Sequence, residues 1–408
     1  MRILIVNFSD DNGGAAIAAT RLHESLLSVN IDSKMLVFEK FINEESIYQD
    51  NFFRAYIQKK VGKIEQYLLN NIYKNKTADR FSASLFSLSS LLNHIDKINP
   101  DIVHLHWVQS NMLSITDIVK INRPIVWSLH DMWAFTGGCH YNDLCERYID
   151  NCGKCHVLGS LKDNDLSRRV YNSKLEAYYK VKQITLVGLS KWMQGAAIKS
   201  SLLKQHSVVN LPNPIDIEKI NPKDRIVSRK QFNLDLKNKI ILVGAVSTSI
   251  KRKGFKEFLE ALSFVNSNVD VVVFGRSNEK IKNINRNIKY VGEINSIEKM
   301  IFLYSAADVM VVPSLQENLS NTIMESLACG TPVVAFNIGG NPDMIEHKVN
   351  GYLSTPFDVK DLSRGIDWVL THRDVSLIRN NSINKVKNLF SYEIVSKQYK
   401  ELYESILD

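Results

Sequence analysis

Ten short apolar runs, rich in β-branched residues, recur along the chain at the spacing of alternating strands and helices. In the first half they are RILIVNF (2–8), SKMLVF (33–38), DIVHLHW (101–107), PIVWSLH (124–130) and ITLVGLS (184–190). In the second half they are KIILVGAV (239–246), DVVVFG (270–275), IKYVG (288–292), ADVMVVPS (307–314) and PVVAF (332–336). The apolarity is continuous rather than alternating, which predicts parallel strands buried on both faces. Helical patterns lie between many of them. In 254–265, for example, Phe255, Phe258, Leu259, Leu262 and Val265 recur at helical spacing. The pattern predicts an α/β fold, built twice.

A length of 408 residues is too great for one ordinary core. The stretch NLPNPIDIEKINPKD (210–224) carries three prolines and marks the break and a hinge. The expected division is 1–211, then 212–390, with 391–408 as an amphipathic helix packing back on the N-terminal domain. The apolar share of 45% and charged share of 23% are those of a globular chain. No run approaches 18 unbroken apolar residues and the N-terminus does not resemble a signal peptide, so a cytoplasmic protein is expected. The net charge of +8 permits anionic partners without choosing among them.

The stretch ENLSNTIMESLACG (317–330) reads as loop, helix and stop. Ser320 or Asn318 can cap the helix, Leu319, Ile323 and Leu327 form its apolar face, and Gly330 ends it in a left-handed turn before Pro332. A helix start beside the carboxyl end of a parallel strand is an anion site, so the amides of Asn318, Leu319, Ser320 and Asn321 are candidates to hold a diphosphate. Glu317 lies at the mouth of that site. Glu325, projecting away from the apolar face, could accept ribose hydroxyls. Spacing alone equally allows Glu317 to complement the helix dipole and Glu325 to be a surface charge.

Glu317, seven intervening residues and Glu325 resemble the E-x7-E signature of retaining glycosyltransferases of the GT-B fold, specifically glycosyltransferase family 4. Four further blocks in order support the resemblance: DDNGGAAIAATRL (10–22), SLHD (128–131), KRKGFKEFLEAL (251–262) and GGNPDMIEHKVNGYL (339–353). The resemblance implies two Rossmann-like domains facing each other across a cleft, with a UDP- or GDP-sugar held mostly by the second. It implies that Lys253 neutralises the leaving diphosphate, that Glu317 approaches the donor sugar, that Glu325 binds ribose and that His130 faces the donor sugar. Gly13 and Gly14, after the first strand, let the backbone come close to a phosphate or sugar. Where the family often has an arginine after the glycine ending the first strand of the second domain, this chain has Ala245. Arg252 is the candidate replacement. No catalytic metal is expected, because a helix end and Lys253 can do its work. The nucleobase is expected near VFGRSN (273–278).

The block CHYNDLCERYIDNCGKC holds Cys139, Cys145, Cys152 and Cys155, with His140 and His156 beside them. A structural zinc, disulfides and free thiols are the three readings, and a reducing compartment favours the metal. Cys329 reads as core. Residues 52–81 hold seven basic and two acidic residues, with Phe52, Phe53 and Tyr56 near the start. They are either an ordinary surface helix or a peripheral contact with the cytoplasmic face of an inner membrane. The second fits a glycan or lipid-linked acceptor of the kind used in surface polysaccharide, capsule or lipopolysaccharide assembly, as the resemblance implies. The competing functions are a sugar-nucleotide epimerase or phosphorylase of the same architecture, and a basic zinc-bearing nucleic-acid binder. The E-x7-E block speaks against nucleic acid as a partner.

Overall fold

The computed structural model describes residues 1–247, 249–276 and 286–408. The chain forms two compact units: Met1–Pro214 together with Val395–Asp408, and Ile215–Ile394. Each is an all-parallel sheet with its own apolar core.

The first sheet contains β1 (Arg2–Ser9), β2 (Asp32–Glu39), β3 (Ile47–Gln49), β4 (Ile102–Leu105), β5 (Ile125–Leu129), β6 (Ile184–Gly188) and β7 (Ser207–Asn210), in the order β3-β2-β1-β4-β5-β6-β7. Ile5 at its centre pairs with Met35 on one side and His104 on the other. The second contains β8 (Lys239–Ser247), β9 (Val269–Arg276), β10 (Ile288–Gly292), β11 (Val309–Val312), β12 (Val333–Phe336) and β13 (Gly351–Ser354), in the order β10-β9-β8-β11-β12-β13. Both sheets reverse their winding once, between β1 and β4 and between β8 and β11. In open parallel sheets, ligands bind outside the carboxyl ends of the strands at that reversal.

All ten runs are strands. The three further strands, β3, β7 and β13, each lie at a sheet edge. At three or four residues, and partly solvated, these edge strands are too short to show the apolar run by which the others, the edge strand β10 included, are recognised. β8 runs on to Ser247, so Ala245 lies within a strand rather than in a loop.

The Tyr392–Leu407 helix enters the first unit, where Tyr399 and Tyr403 are wholly buried. The Tyr403 hydroxyl and His104 Nδ1 are 2.7 Å apart, and the Tyr399 and Ser128 hydroxyls 3.4 Å. The two passages of chain that bound the second unit run side by side, with the Ile215 amide donating to the Phe390 carbonyl and the Tyr392 amide to that of Ile215.

Candidate functional site

In the second unit, the predicted residues gather where the winding reverses. After β8 the chain makes a short turn, Lys251–Lys253, and reaches Gly254 at φ +68°. A Cβ there would sit 1.7 Å from the Pro313 carbonyl oxygen, so only glycine lets the two loops touch. The contact is reinforced by the Leu315 amide donating to the Arg252 carbonyl (2.8 Å) and Arg252 Nη1 donating to the Gln316 carbonyl (3.1 Å). From the other side, Gly339 (φ +51°) approaches so closely that a Cβ would lie 1.8 Å from the Glu317 carbonyl oxygen. The Glu317 backbone is thus held between two glycine-dependent contacts.

Its side chain is equally fixed. Lys253 Nζ donates to Glu317 Oε2 at 2.6 Å and the Ser314 hydroxyl donates to the same oxygen at 3.2 Å. Burial alone would raise the carboxyl's pKa. Lys253, Arg252 and Ser314 more than offset it, and the pKa lies below the usual glutamate value. Glu317 is therefore a buried anion at neutral pH. An ammonium has three donors, so the pair leaves Lys253 able to meet an incoming diphosphate.

The Asn321–Ala328 helix follows. Ser320 is its N-cap, but its hydroxyl pairs with the Thr322 hydroxyl (2.8 Å) and makes no capping bond. Side-chain capping by Ser320, one of the two expectations, is therefore corrected: its hydroxyl has found a side-chain partner instead. Leu319 precedes the helix rather than lying on its face. Ile323 and Leu327 are wholly buried, each worth about 1.5–3 kcal/mol. The helix has no solvent face, so Glu325, two positions on from Ile323, is enclosed as well. Glu325 is only 6% exposed and accepts from the Tyr304 hydroxyl at 2.9 Å. A solvated surface charge is ruled out. Gly330 takes the left-handed conformation that ends the helix (φ +70°). Part of the expected nucleobase stretch, residues 277 and 278, lies outside the described residues.

In the first unit, Gly13 has φ +102° and caps the Gly14–Ser28 helix without a side-chain bond. Nothing lies within 4 Å of where its Cβ would be, so glycine is needed there for backbone conformation and not for packing. His130 directly follows β5, half-buried, with its Nε2 2.9 Å from His106 Nδ1. His106 stacks in turn on His104, with ring centroids 4.4 Å apart. Burial holds His130 down to about 4 and His104 to about 3, and holds His106 well below the ordinary histidine value, so all three rings are neutral at pH 7. His106 and Asp131 were not singled out from sequence. The signal for His106 was the H-x-H alternation at the end of a buried strand, which puts both rings on one face. Asp131 sits beside His130 and accepts from Trp107 Nε1 (2.9 Å), Gln109 Nε2 (3.2 Å), the Trp133 amide (2.9 Å) and His140 Nδ1 (2.7 Å). Burial opposes its charge, but these partners, His140 first, keep it ionised.

The four clustered cysteines are unpaired, so disulfides are not formed. They line one small cavity together with His156. Among the described residues no three ligand-type side chains already stand in metal-holding positions. Cys329 is core, as expected. The basic segment is a helix only over Phe52–Ile72. Beyond it Phe81 is wholly buried and the Arg80 guanidinium lies 4.5 Å over the Trp107 ring, so the surface reading shrinks to the helix. No helix among the described residues is long and apolar enough to cross a membrane.

Residues 224–388 match the family model described as glycosyl transferases group 1. Over 219 residues the chain is 24% identical to the UDP-Gal:α-D-GlcNAc-diphosphoundecaprenol α-1,3-galactosyltransferase of Escherichia coli, covering 50% of this chain and 56% of that protein. It spans about half the length of several of the curated relatives it matches. The structure is similar to sucrose-phosphate synthase from Thermosynechococcus elongatus (TM-score 0.72, 17% identity, 99% of this chain and 98% of that one). It is also similar to Anabaena HepE solved with UDP-glucose (TM-score 0.64, 16% identity, 99% and 100%). At these identities the likeness is one of fold, and that fold is GT-B.

Proposed function

We propose that the chain, whose residues 224–388 match the family of group 1 glycosyl transferases, moves a sugar, with retention, from a UDP- or GDP-sugar to a glycan or lipid-linked oligosaccharide. The observation that carries this reading is the Lys253–Glu317 pair at the start of the Asn321–Ala328 helix, with Glu325 buried further along it. Helix amides and Lys253 receive the diphosphate, and Arg252 braces the loop that positions them. Glu317 takes donor-sugar hydroxyls and Glu325 the ribose. The acceptor hydroxyl attacks the anomeric carbon on the face from which the diphosphate departs. One C–O bond forms, the bond to the diphosphate breaks, and a diphosphate oxygen takes the acceptor's proton. Positioning and charge stabilisation then supply most of the rate. Neutral His130, braced by His106, offers a ring nitrogen to a sugar hydroxyl.

A lipid-linked acceptor fits the Phe52–Ile72 helix. Ala55, Gln58 and Leu69 face inward, while Phe53, Tyr56, Ile64 and Tyr67 are exposed on the opposite side among Lys60 and Lys63. Aromatic and cationic residues on one helical face suit an anionic membrane surface. The relative that acts on a diphosphoundecaprenol-linked sugar supports the same acceptor class.

Thermal shifts with UDP, GDP, ADP and their sugars test the donor site, on the wild type and Glu325→Gln in EDTA. Ligand at a hundredfold its Kd adds about 2.7 kcal/mol to stability. A nucleotide that stabilises the wild type and not the variant is the expected result. No shift with any nucleotide would sink the reading.

A further inference from the structure

From Thr136 to Asp165 the chain has no helix and no strand. Loops of this length are uncommon inside compact domains unless they are functional or disordered. This one is anchored at several points, since Val157 and Leu158 are 1% and 0% exposed and Tyr148 6%, although Leu144 and Leu161 between these points are exposed. Something other than backbone ladders must order it.

The four thiols of this segment converge on a cavity of about 10 Å³, shared with His156. That is room for one water-sized sphere. A backbone N–H already points at one of the sulfurs: the Gly137 amide donates to Cys152 Sγ at 3.1 Å. A thiol is a weak acceptor, whereas a metal-bound thiolate is an anion that such a donor stabilises. The turn that carries the C-x2-C pair needs Gly153 at φ +142° and Lys154 at φ +45°. A Cβ at 153 would lie 2.3 Å from the Asp163 carbonyl oxygen, so this turn is built rather than incidental. A hydrogen-bond donor lies beside the block: Lys174 is wholly buried and donates to the Trp133 and Thr136 carbonyls. His156 lines the same cavity as Cys145, and its Nδ1 is buried with no partner.

We propose that Cys139, Cys145, Cys152 and Cys155 close around a single structural zinc ion, with His156 outside the coordination shell as a hydrogen-bond donor to Cys145. Staggered rotamer changes bring the sulfurs inward to about 2.3 Å from the metal. Four thiolates leave no position for water, so the ion staples and does not catalyse. Two zinc charges and four thiolates leave the cluster anionic, and Lys174 and the Gly137 N–H answer that charge. The staple reaches the histidine column by a short path, since Cys139 adjoins His140, which holds Asp131 beside His130.

The test is metal analysis of the full-length wild type, followed by cobalt substitution. One equivalent of zinc, released when four thiols are titrated, and a cobalt protein with tetrahedral all-sulfur charge-transfer bands are expected. Cys152→Ser should lose the metal, whereas Cys329→Ser and His156→Ala should keep it with the same cobalt bands. If Cys152→Ser does not fold, the wild-type metal content and cobalt spectrum still decide. Wild type purified without metal, refusing zinc after reduction, would overturn the proposal, as would Cys–Cys bridges within the block. Loss of metal in His156→Ala, with a mixed sulfur–nitrogen cobalt spectrum in the wild type, would overturn the four-thiolate assignment. None of these readouts depends on sugar transfer.

Discussion

Replacing Lys253 by methionine separates what the cation does for the fold from what it does for the donor. The pair is 2.6 Å long, and only 25% of the lysine side chain and 9% of the glutamate side chain meet solvent. Removing one partner of a buried pair costs about 3–5 kcal/mol, because the other charge stays behind unpaired. Here Ser314 still bonds the carboxylate and the lysine end is partly wet, so about 2–3 kcal/mol is expected. For a unit of this size that is roughly 4–12 °C in Tm. Glu317→Gln should cost less, about 1 kcal/mol, since the freed ammonium can turn to water. The double variant Lys253→Met/Glu317→Gln removes both charges, and its cost should fall short of the sum by about 2 kcal/mol. Urea unfolding measures the cycle, and a transferase assay runs beside it. The double variant should recover stability yet remain about 10²–10³-fold slower, because nothing then meets the charge on the departing diphosphate. The pH dependence has a definite sign. Glu317 has a lowered pKa in the fold, so the pair's contribution is full above the ordinary carboxylate range and is lost as pH falls through the folded-state value. The gap between wild type and Lys253→Met should therefore close in acid. Additive costs, or a gap that widens as pH falls, would refute the reasoning.

Three other perturbations probe separate parts of the molecule. Gly339→Ala should cost about 1–3 kcal/mol from backbone strain and depress kcat by displacing Glu317, measured by urea unfolding and steady-state rates. Phe53→Ser with Tyr67→Ser should weaken co-sedimentation with anionic vesicles while leaving Tm within about 1 °C, because both side chains are exposed. Tyr403→Phe strips the buried His104 of a hydroxyl partner and should cost about 1–3 kcal/mol in the first unit, seen as a lower Tm with unchanged nucleotide shifts.

The parallel strands were legible because both faces of each are buried, which writes an unbroken apolar run into the sequence. β3, β7 and β13 are edge strands of three or four residues, too short to write such a run, and escaped notice, whereas the five-residue edge strand β10 was read. Residues near one another in sequence were easiest to assign: Glu317 and Glu325 fall on one loop and helix, and the C-terminal helix was read with its observed bounds. What a side chain touches across the fold was not legible. Tyr304 under Glu325, Tyr403 on His104 and three of the four donors to Asp131 are contacts between residues 9 to 299 positions apart. Local patterns cannot place such partners. For the same reason, sequence reading offered Arg252 only as the candidate replacement for the family's arginine and gave no partner for it within the fold. In the structure its guanidinium holds the Gln316 carbonyl.

The path by which the chain leaves the first unit at Pro214 and re-enters it at Val395 has a consequence for biosynthesis. Tyr399 and Tyr403 are translated only after the whole of the second unit has emerged from the ribosome. Until then His104 and Ser128 have only each other, at 2.9 Å, and lack the tyrosine hydroxyls that complete the seam. The second unit, whose residues are contiguous, can complete itself first. The first must wait, partly formed, with a buried seam open to water. During synthesis the N-terminal half is thus the later of the two to mature, and a holdase or a premature stop would act on it rather than on the half made last.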